Sequence, residues 1–97
     1  MKLWIKIIRN EKIIKDTVTE GNAENAKELH ALLADVCDRL NCPVPLVTTT
    51  DASNLQKFNH AKFKARDFVE KVDFDFLEAI RLSEKKKKQN NIQEEYR

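Results

Sequence analysis

The sequence predicts an α+β fold with an N-terminal β-hairpin, one long amphipathic helix, an irregular or short-helical segment, and a C-terminal strand that joins the sheet. Three observations predict it. Apolar and polar residues alternate near the N-terminus, apolar residues recur at helical spacing over residues 29–40, and the alternation returns over residues 73–82. The chain has 97 residues, which is the size of one compact domain.

The hairpin is predicted from two strand-like runs, Leu3–Ile8 and Ile13–Thr19, rich in β-branched residues. Asn10 and Glu11 separate them, and Asn tolerates the positive φ that a two-residue turn requires. This register pairs Ile8 with Ile13. It also pairs Ile7 with Ile14, Leu3 with Val18, Ile5 with Asp16 and Lys6 with Lys15, and the last two pairs are unfavourable. We therefore expect one face to carry Leu3, Ile7, Ile14 and Val18, and the other to carry Trp4, Ile8 and Ile13.

The long helix is predicted over residues 22–40. Its apolar stripe consists of Leu29, Leu32, Leu33, Val36, Cys37 and Leu40. Asn22 is the expected N-cap, Asn41 suits a left-handed C-terminal residue, and Pro43 prevents continuation.

The second half of the chain gives weaker patterns. Residues 46–50 fit a short edge strand or a crossing segment, and Asp51 or Ser53 is the expected cap of a short helix that includes Leu55 and Phe58. The remainder up to Arg66 is expected to be irregular. Over residues 68–83 the alternation around Phe74 and Phe76 favours a strand over a helix.

Charge divides the chain into a body and a tail. Residues 1–83, expected to form one domain, hold 13 basic and 13 acidic side chains, so the net charge of +2 belongs to residues 84–97. This tail contains four consecutive lysines and is expected to be either disordered or a helical extension. We interpret the lysine run as a solvated segment rather than a binding arm.

Composition and motifs argue against several functional classes. No apolar stretch approaches the ~20 residues that span a bilayer, and the N-terminal run lacks the h-region and cleavage site of a signal peptide, so we expect neither. Two cysteines are too few for a disulfide framework, so we expect a cytoplasmic protein with free thiols. No Gly-rich phosphate loop or catalytic motif is present, so we expect no enzyme and no cofactor.

Two further clusters suggest chemistry, and a structural explanation is preferred for each. Cys37 and Cys42 are zinc-type ligands, as are His30 and His60, but no second ligand pair follows at zinc spacing, so no metal site is expected. Asp73 and Asp75 would share one face of a strand, and paired carboxylates are the acid–base groups of a small hydrolase; a solvated strand face explains them at least as well and is preferred.

Residues 57–66 interleave cations with aromatic rings, which is the composition of a surface for single-stranded nucleic acid. The candidate contacts are Lys57, Phe58, His60, Lys62, Phe63, Lys64 and Arg66. The preferred explanation is that the two rings enter the core while the charges remain solvated. Nucleic-acid binding is therefore the alternative function.

The favoured function is a small non-catalytic module that binds a partner protein or a second copy of itself. One helix covers only one face of a hairpin, so Trp4, Ile8 and Ile13 are left on a second apolar face. Exposed apolar patches of this kind usually mark contact sites. The candidate protein-contact face therefore consists of these three residues, unless Phe58 and Phe63 cover it.

Four segments of the chain carry a resemblance to a known family. They are the run Lys2–Ile8, the run Ile13–Asp16, the Leu-rich helix before Val44 and Pro45, and the run Val72–Leu77. Together they resemble a family of small, uncharacterised bacterial cytosolic proteins. The resemblance covers residues 1–82 and implies an α+β fold that closes with a strand at residues 74–82. It implies no catalytic residue. The Lys-rich tail departs from the family pattern.

Overall fold

The structure is a computed structural model that describes residues 1–82. It contains four β-strands and two α-helices, which confirms the predicted α+β class. The strands are β1 (Lys2–Arg9), β2 (Lys12–Glu20), β3 (His60–Lys64) and β4 (Phe76–Leu82), and the helices are α1 (Ala26–Leu40) and α2 (Thr49–Phe58). The charged tail predicted for residues 84–97 lies outside the described residues.

The four strands form one sheet in the order β2-β1-β4-β3, and every neighbouring pair is antiparallel. The C-terminal strand β4 therefore lies in the centre, between the first strand and β3. Both helices pack on the same face of the sheet, where Leu33, Val36 and Leu55 join the inward side chains of the strands in one hydrophobic core. None of the helices within residues 1–82 is long and apolar enough to cross a membrane.

The hairpin turn falls at Asn10 and Glu11 as predicted, with φ of 53° and 66°. The predicted register holds for Arg9 opposite Lys12 and Ile8 opposite Ile13, and is wrong beyond them. Ile8 pairs with Ile13 but Ile7 pairs with Lys15, so Ile14 is the extra residue of a β-bulge.

The bulge relieves both unfavourable pairs of the predicted register. Lys6 now lies opposite Asp16 rather than Lys15, and Ile5 lies opposite Thr17. A one-residue shift also moves side chains to the other face. Val18 consequently lies opposite Trp4, away from the helices, and the predicted face of Leu3, Ile7, Ile14 and Val18 is wrong in its last member.

Helix α1 begins three residues later than predicted. The N-cap is Asn25 rather than Asn22, and its side-chain oxygen accepts a hydrogen bond from the Glu28 N–H at 2.8 Å. Asn41 adopts the left-handed conformation, as predicted, at φ 58° and ψ 48°. Four residues of the predicted stripe are fully buried, and Leu32 and Leu40 pack at its margin.

Helix α2 is capped by Thr48, so the expected caps Asp51 and Ser53 are wrong. The Thr48 hydroxyl accepts from the Asp51 N–H at 3.2 Å, and the Asp51 carboxylate accepts from the Thr48 N–H at 2.9 Å. This reciprocal pair is a capping box, with Asp51 as its third helical residue.

The stretch up to Arg66 is not irregular, because it contains strand β3, whose inward residues Ala61 and Phe63 are buried. The strand expected at residues 74–82 begins at Phe76. Phe74 instead packs edge-to-face on Phe68 within the core, with ring centroids 5.3 Å apart.

A candidate interaction face on the open side of the sheet

The sheet has one face covered by the helices and one that no described helix covers, and we call the second the open face. Directly paired residues of neighbouring strands project to the same side of a sheet, so the strand register defines its members. They are Trp4, Lys6 and Ile8 of β1, Ile13, Asp16 and Val18 of β2, His60, Lys62 and Lys64 of β3, and Phe76, Glu78 and Ile80 of β4.

Apolar residues form two rows that run across the strands of the open face. The first contains Val18, Trp4 and Ile80, and the second contains Ile13, Ile8 and Phe76. Val18 and Ile13 lie on the edge strand and are 49% and 48% exposed, whereas Ile8 near the centre is 9% exposed. The open face therefore carries one row of apolar side chains near each end of its strands.

A row of four charged residues lies between the apolar rows. In order across the sheet it reads Asp16, Lys6, Glu78 and Lys62, so the sign of charge alternates from strand to strand. Lys6 Nζ lies 3.2 Å from Glu78 Oε1, and the two side chains are only 15% and 19% exposed. The central pair is thus largely removed from water already.

Further contacts fix the geometry of this charged row. The Trp4 indole N–H donates to the Asp16 carboxylate at 2.9 Å. The Lys6 ammonium lies 4.5 Å from the centroid of the Trp4 ring, and that of Lys62 lies 4.1 Å from the centroid of the Phe76 ring. Both aromatic rings therefore already contact a cation of their own chain.

Glu78 is the most constrained carboxylate of the open face. Besides Lys6 it bonds to the Nε2 atom of His60 on β3. Burial opposes ionisation of this carboxyl, but the hydrogen bonds with His60 and Lys6 outweigh burial and lower the pKa of Glu78. Glu78 therefore links three of the four strands as an anion.

The sequence-predicted contact residues Trp4, Ile8 and Ile13 all lie on the open face, with Trp4 in one apolar row and Ile8 and Ile13 in the other. Sequence reasoning missed Val18, Phe76 and Ile80, which extend the same surface. Val18 was missed because the bulge at Ile14 reverses its side of the strand. The alternation of Phe76 and Ile80 around buried Leu77 and Ala79 was the available signal for the other two.

The candidate nucleic-acid residues are divided between different surroundings. Phe63 is fully buried in the core, whereas Phe58, the last residue of α2, is 69% exposed. His60, Lys62 and Lys64 lie on the open face, where Glu78 bonds to His60 and Phe76 contacts Lys62. Lys57 lies in the last turn of α2 and Arg66 in a 3₁₀ turn after β3. The preferred explanation, that both rings enter the core, is confirmed for Phe63 and is wrong for Phe58.

The two aspartates considered for a hydrolase support the hairpin turn. Asp75 accepts a hydrogen bond from the Asn10 backbone N–H at 2.9 Å, and its own N–H donates to the Ile8 carbonyl at 2.8 Å. Asp73 forms an exposed ion pair with Arg9 at 3.4 Å. The sequence predicted that they share one face of a strand. This is wrong, because both precede β4.

Cys37 and Cys42 are free thiols in the structure. Among the residues 1–82 that the structure describes, no group of three or more His, Cys, Asp or Glu side chains is arranged to hold a metal ion.

Comparison of the chain with protein-family models, with curated proteins and with solved structures finds no match. Membership of the bacterial family that the sequence resembles therefore stays a prediction.

Proposed function

We propose that this protein is a small non-catalytic interaction module that associates with a second copy of itself through the open face. The observation that carries the proposal is the alternating charge of the central row, Asp16, Lys6, Glu78 and Lys62. The apolar rows on both sides of that row, with Val18 and Ile13 as their exposed members, supply the surface that association would remove from water.

The alternating row is self-complementary under twofold symmetry. The strand order β2-β1-β4-β3 places the midpoint of the sheet between β1 and β4. Consider a twofold axis that runs parallel to the strands, above that midpoint and between the two facing sheets. It brings β1 against β4 of the second copy, and β2 against β3. Lys6 then faces Glu78 of the other copy, and Asp16 faces Lys62. A closed dimer of this symmetry is the commonest soluble oligomer.

The same operation pairs the apolar rows. Trp4 comes against Ile80 of the second copy, and Ile8 comes against Phe76. Twisted sheets that pack face to face in this manner keep their strands within about 30° of each other. Burial of the Lys6–Glu78 pair adds little desolvation cost, because these side chains are only 15% and 19% exposed in one copy.

The size of the open face limits the affinity. Four strands about 4.8 Å apart, with about six residues each at a rise of about 3.3 Å, give a face of about 20 Å by 20 Å. The two copies together would bury about 800 Å², which is below the range of about 1,200–2,000 Å² for stable interfaces and typical of weak, transient ones. We therefore expect a weak dimer that populates at high micromolar concentration.

Nucleic-acid binding has less support from the geometry. Bases stack on exposed aromatic faces, but Phe63 is buried and Lys62 lies over the ring of Phe76, so Phe58 at the end of α2 is the exposed ring of the candidate segment. Two carboxylates, Asp16 and Glu78, also lie on the surface that a phosphate backbone would follow.

A first test uses sedimentation velocity across a concentration series of the full chain. Trp4→Lys places a charge in one apolar row of the proposed interface and is expected to give a folded monomer. Val69→Lys is the matched control, because Val69 is 81% exposed and lies in the loop before β4. Wild type that stays monomeric at high micromolar concentration, or a Val69→Lys variant that dissociates equally, would refute the proposal.

A second test addresses the symmetry. Asp16→Lys and Lys62→Asp each place like charges opposite one another in a homodimer, so each variant alone is expected to be monomeric. Mixed together they restore both opposite-charge contacts, and a heterodimer is expected. Circular dichroism of each variant verifies its fold. A mixture of folded variants that does not associate would reject the proposed twofold arrangement.

A further inference from the structure

The end of helix α1 brings the two cysteines together. The Cys42 N–H donates to the Cys37 carbonyl at 3.0 Å, and the Asn41 N–H donates to the Asp38 carbonyl at 3.3 Å. With Asn41 left-handed, these two hydrogen bonds form a Schellman motif. Cys37 lies three residues before Leu40, the last residue of the helix, and Cys42 lies two residues after it. The side chains at these two positions characteristically touch.

The backbone geometry also permits a disulfide between them. A carbonyl oxygen lies about 2.4 Å from its own Cα, and an amide nitrogen about 1.5 Å from its own. With the 3.0 Å hydrogen bond between these atoms, the Cα atoms of Cys37 and Cys42 lie no more than about 7 Å apart. Disulfides span Cα separations up to about that limit, so little backbone movement is required.

The two thiols differ in exposure and in the direction of their pKa shifts. Cys37 is fully buried and Cys42 is half-buried. A hydrogen bond with Cys42 and burial raise the pKa of Cys37. The same hydrogen bond lowers the pKa of Cys42 despite its burial, and the charge of Lys15 acts in the same direction. Cys42 is therefore the thiol that ionises first and that a reagent meets first.

Cys42 lines a cleft of about 670 Å³ between the hairpin, the end of α1 and the loop before β4. Its charged residues are Arg9, Lys15, Lys71 and Asp73, so cations exceed anions. Lys15 is held at this position because its ammonium donates to the Leu40 carbonyl at 2.8 Å. Ile7, Ile14, Val72 and Phe74 provide apolar walls. A cleft of this size and charge suits a small anionic molecule.

We propose that Cys42 is a site of thiol–disulfide exchange with small anionic disulfides, which the cationic cleft admits, and that Cys37 is the resolving cysteine. This proposal does not depend on the proposed dimer, because the open face contains neither cysteine.

The exchange proceeds in two balanced steps. The Cys42 thiolate attacks one sulfur of the reagent disulfide, whose S–S bond breaks as the Cys42 mixed disulfide forms, and the released thiolate takes a proton from water. Cys37 then loses its proton to water and attacks the Cys42 sulfur, which expels the second reagent thiolate. Both cysteines are oxidised to one internal disulfide while one reagent disulfide is reduced to two thiols.

The test follows the intact mass of the native full chain with three probes: oxidised glutathione, which is anionic, bis(2-hydroxyethyl) disulfide, which is neutral, and cystamine, which is cationic. Wild type is expected to lose two hydrogens and retain no adduct. Cys37→Ser is expected to retain one adduct, mapped to Cys42 by peptide analysis. The folded Cys42→Ser variant is expected to take up no adduct. Circular dichroism verifies that each variant is folded.

Charge selection is tested separately by the ratio of initial rates with oxidised glutathione and with cystamine. Relative to the same ratio for a short unstructured Cys peptide, wild type is expected to favour the anionic probe. Lys15→Gln should lower that preference several-fold. Lys12→Gln, on the same edge strand but outside the cleft, should leave it unchanged. Equal preference in the protein and the peptide, or failure of wild type to form the internal disulfide, would overturn the proposal.

Discussion

Lys6 on β1 and Glu78 on β4 form an ion pair at 3.2 Å in the centre of the open face, although they are far apart in the sequence. Glu78 is also bonded to His60 on the next strand, so one carboxylate connects the N-terminal hairpin to the C-terminal half of the sheet. The pair is part of the proposed interface and is also expected to stabilise the monomer.

The first prediction concerns the pH dependence of this link. The pKa of Glu78 is lowered in the folded protein, so its charge contributes fully to the unfolding free energy above the unfolded-state pKa of about 4.5. This contribution is lost as the pH falls through the lower pKa of the folded state. Glu78→Gln should cost roughly 1–3 kcal/mol at neutral pH, because it leaves Lys6 and His60 without their anion. The loss of unfolding free energy caused by Glu78→Gln should become smaller below about pH 4.5.

Urea denaturation of both proteins between neutral and acidic pH measures this difference. Glu70→Gln is the control, because Glu70 is exposed in the loop before β4 and should change the unfolding free energy by less than about 0.5 kcal/mol. A Glu78→Gln cost that is constant down to acidic pH would contradict the proposed anionic role.

The second prediction concerns helix α1. Leu33 and Val36 are fully buried against the sheet. Leu33→Ala should reduce the unfolding free energy by roughly 2–5 kcal/mol, and Val36→Ala should also be strongly destabilising. Asp35→Ala should change it by no more than about 0.5 kcal/mol, because Asp35 is exposed and its ion pair with Arg39 lies in solvent. Equal urea midpoints for the three variants would contradict the observed helix orientation.

The sequence predicted the elements whose signals are local. The helical spacing of Leu29, Leu33 and Val36 identified α1, and the Asn10–Glu11 turn located the hairpin. The cap of α2 was also a local signal, since Thr48 and Asp51 have capping-box spacing, but the acidic residue was assigned as the cap.

Features that depend on pairing between distant strands were not predicted. Strand β3 has only five residues and three of them are His60, Lys62 and Lys64, which have little intrinsic preference for strands; pairing with β4 stabilises it. The bulge at Ile14 was indicated only indirectly, by the two unfavourable pairs of the simple register. The alternating charge of the open face becomes visible only when β4 is placed beside β1.

The third prediction concerns the capping box of α2. Thr48→Ala removes the oxygen that accepts from the Asp51 N–H and should cost about 1 kcal/mol in urea denaturation. Thr48→Ser retains the hydroxyl and should remain within a few tenths of a kcal/mol of wild type. Thr50→Ala is the position control, because Thr50 is exposed in the first turn of α2. Equal losses for Thr48→Ala and Thr50→Ala would mean that the cap contributes nothing specific.

The fourth prediction concerns the hairpin turn, where Glu11 has a φ of 66°. A residue with a Cβ atom is strained by about 1–2 kcal/mol in this left-handed conformation, whereas glycine is not. Asn10, at φ 53°, tolerates it better and also donates its N–H to Asp75 at 2.9 Å. The turn therefore already has the backbone of the Asn-Gly type that favours hairpins, with an unfavourable residue at its second position.

Glu11→Gly should accordingly raise the unfolding free energy by about 1 kcal/mol, since relief of strain exceeds the added entropy of the unfolded chain. Asn10→Gly relieves less strain at the same entropic cost and should give a smaller gain or none. Chemical denaturation in urea at neutral pH compares the two variants with wild type. Loss of stability in Glu11→Gly would show that the Glu11 side chain makes a contribution larger than the strain of its backbone.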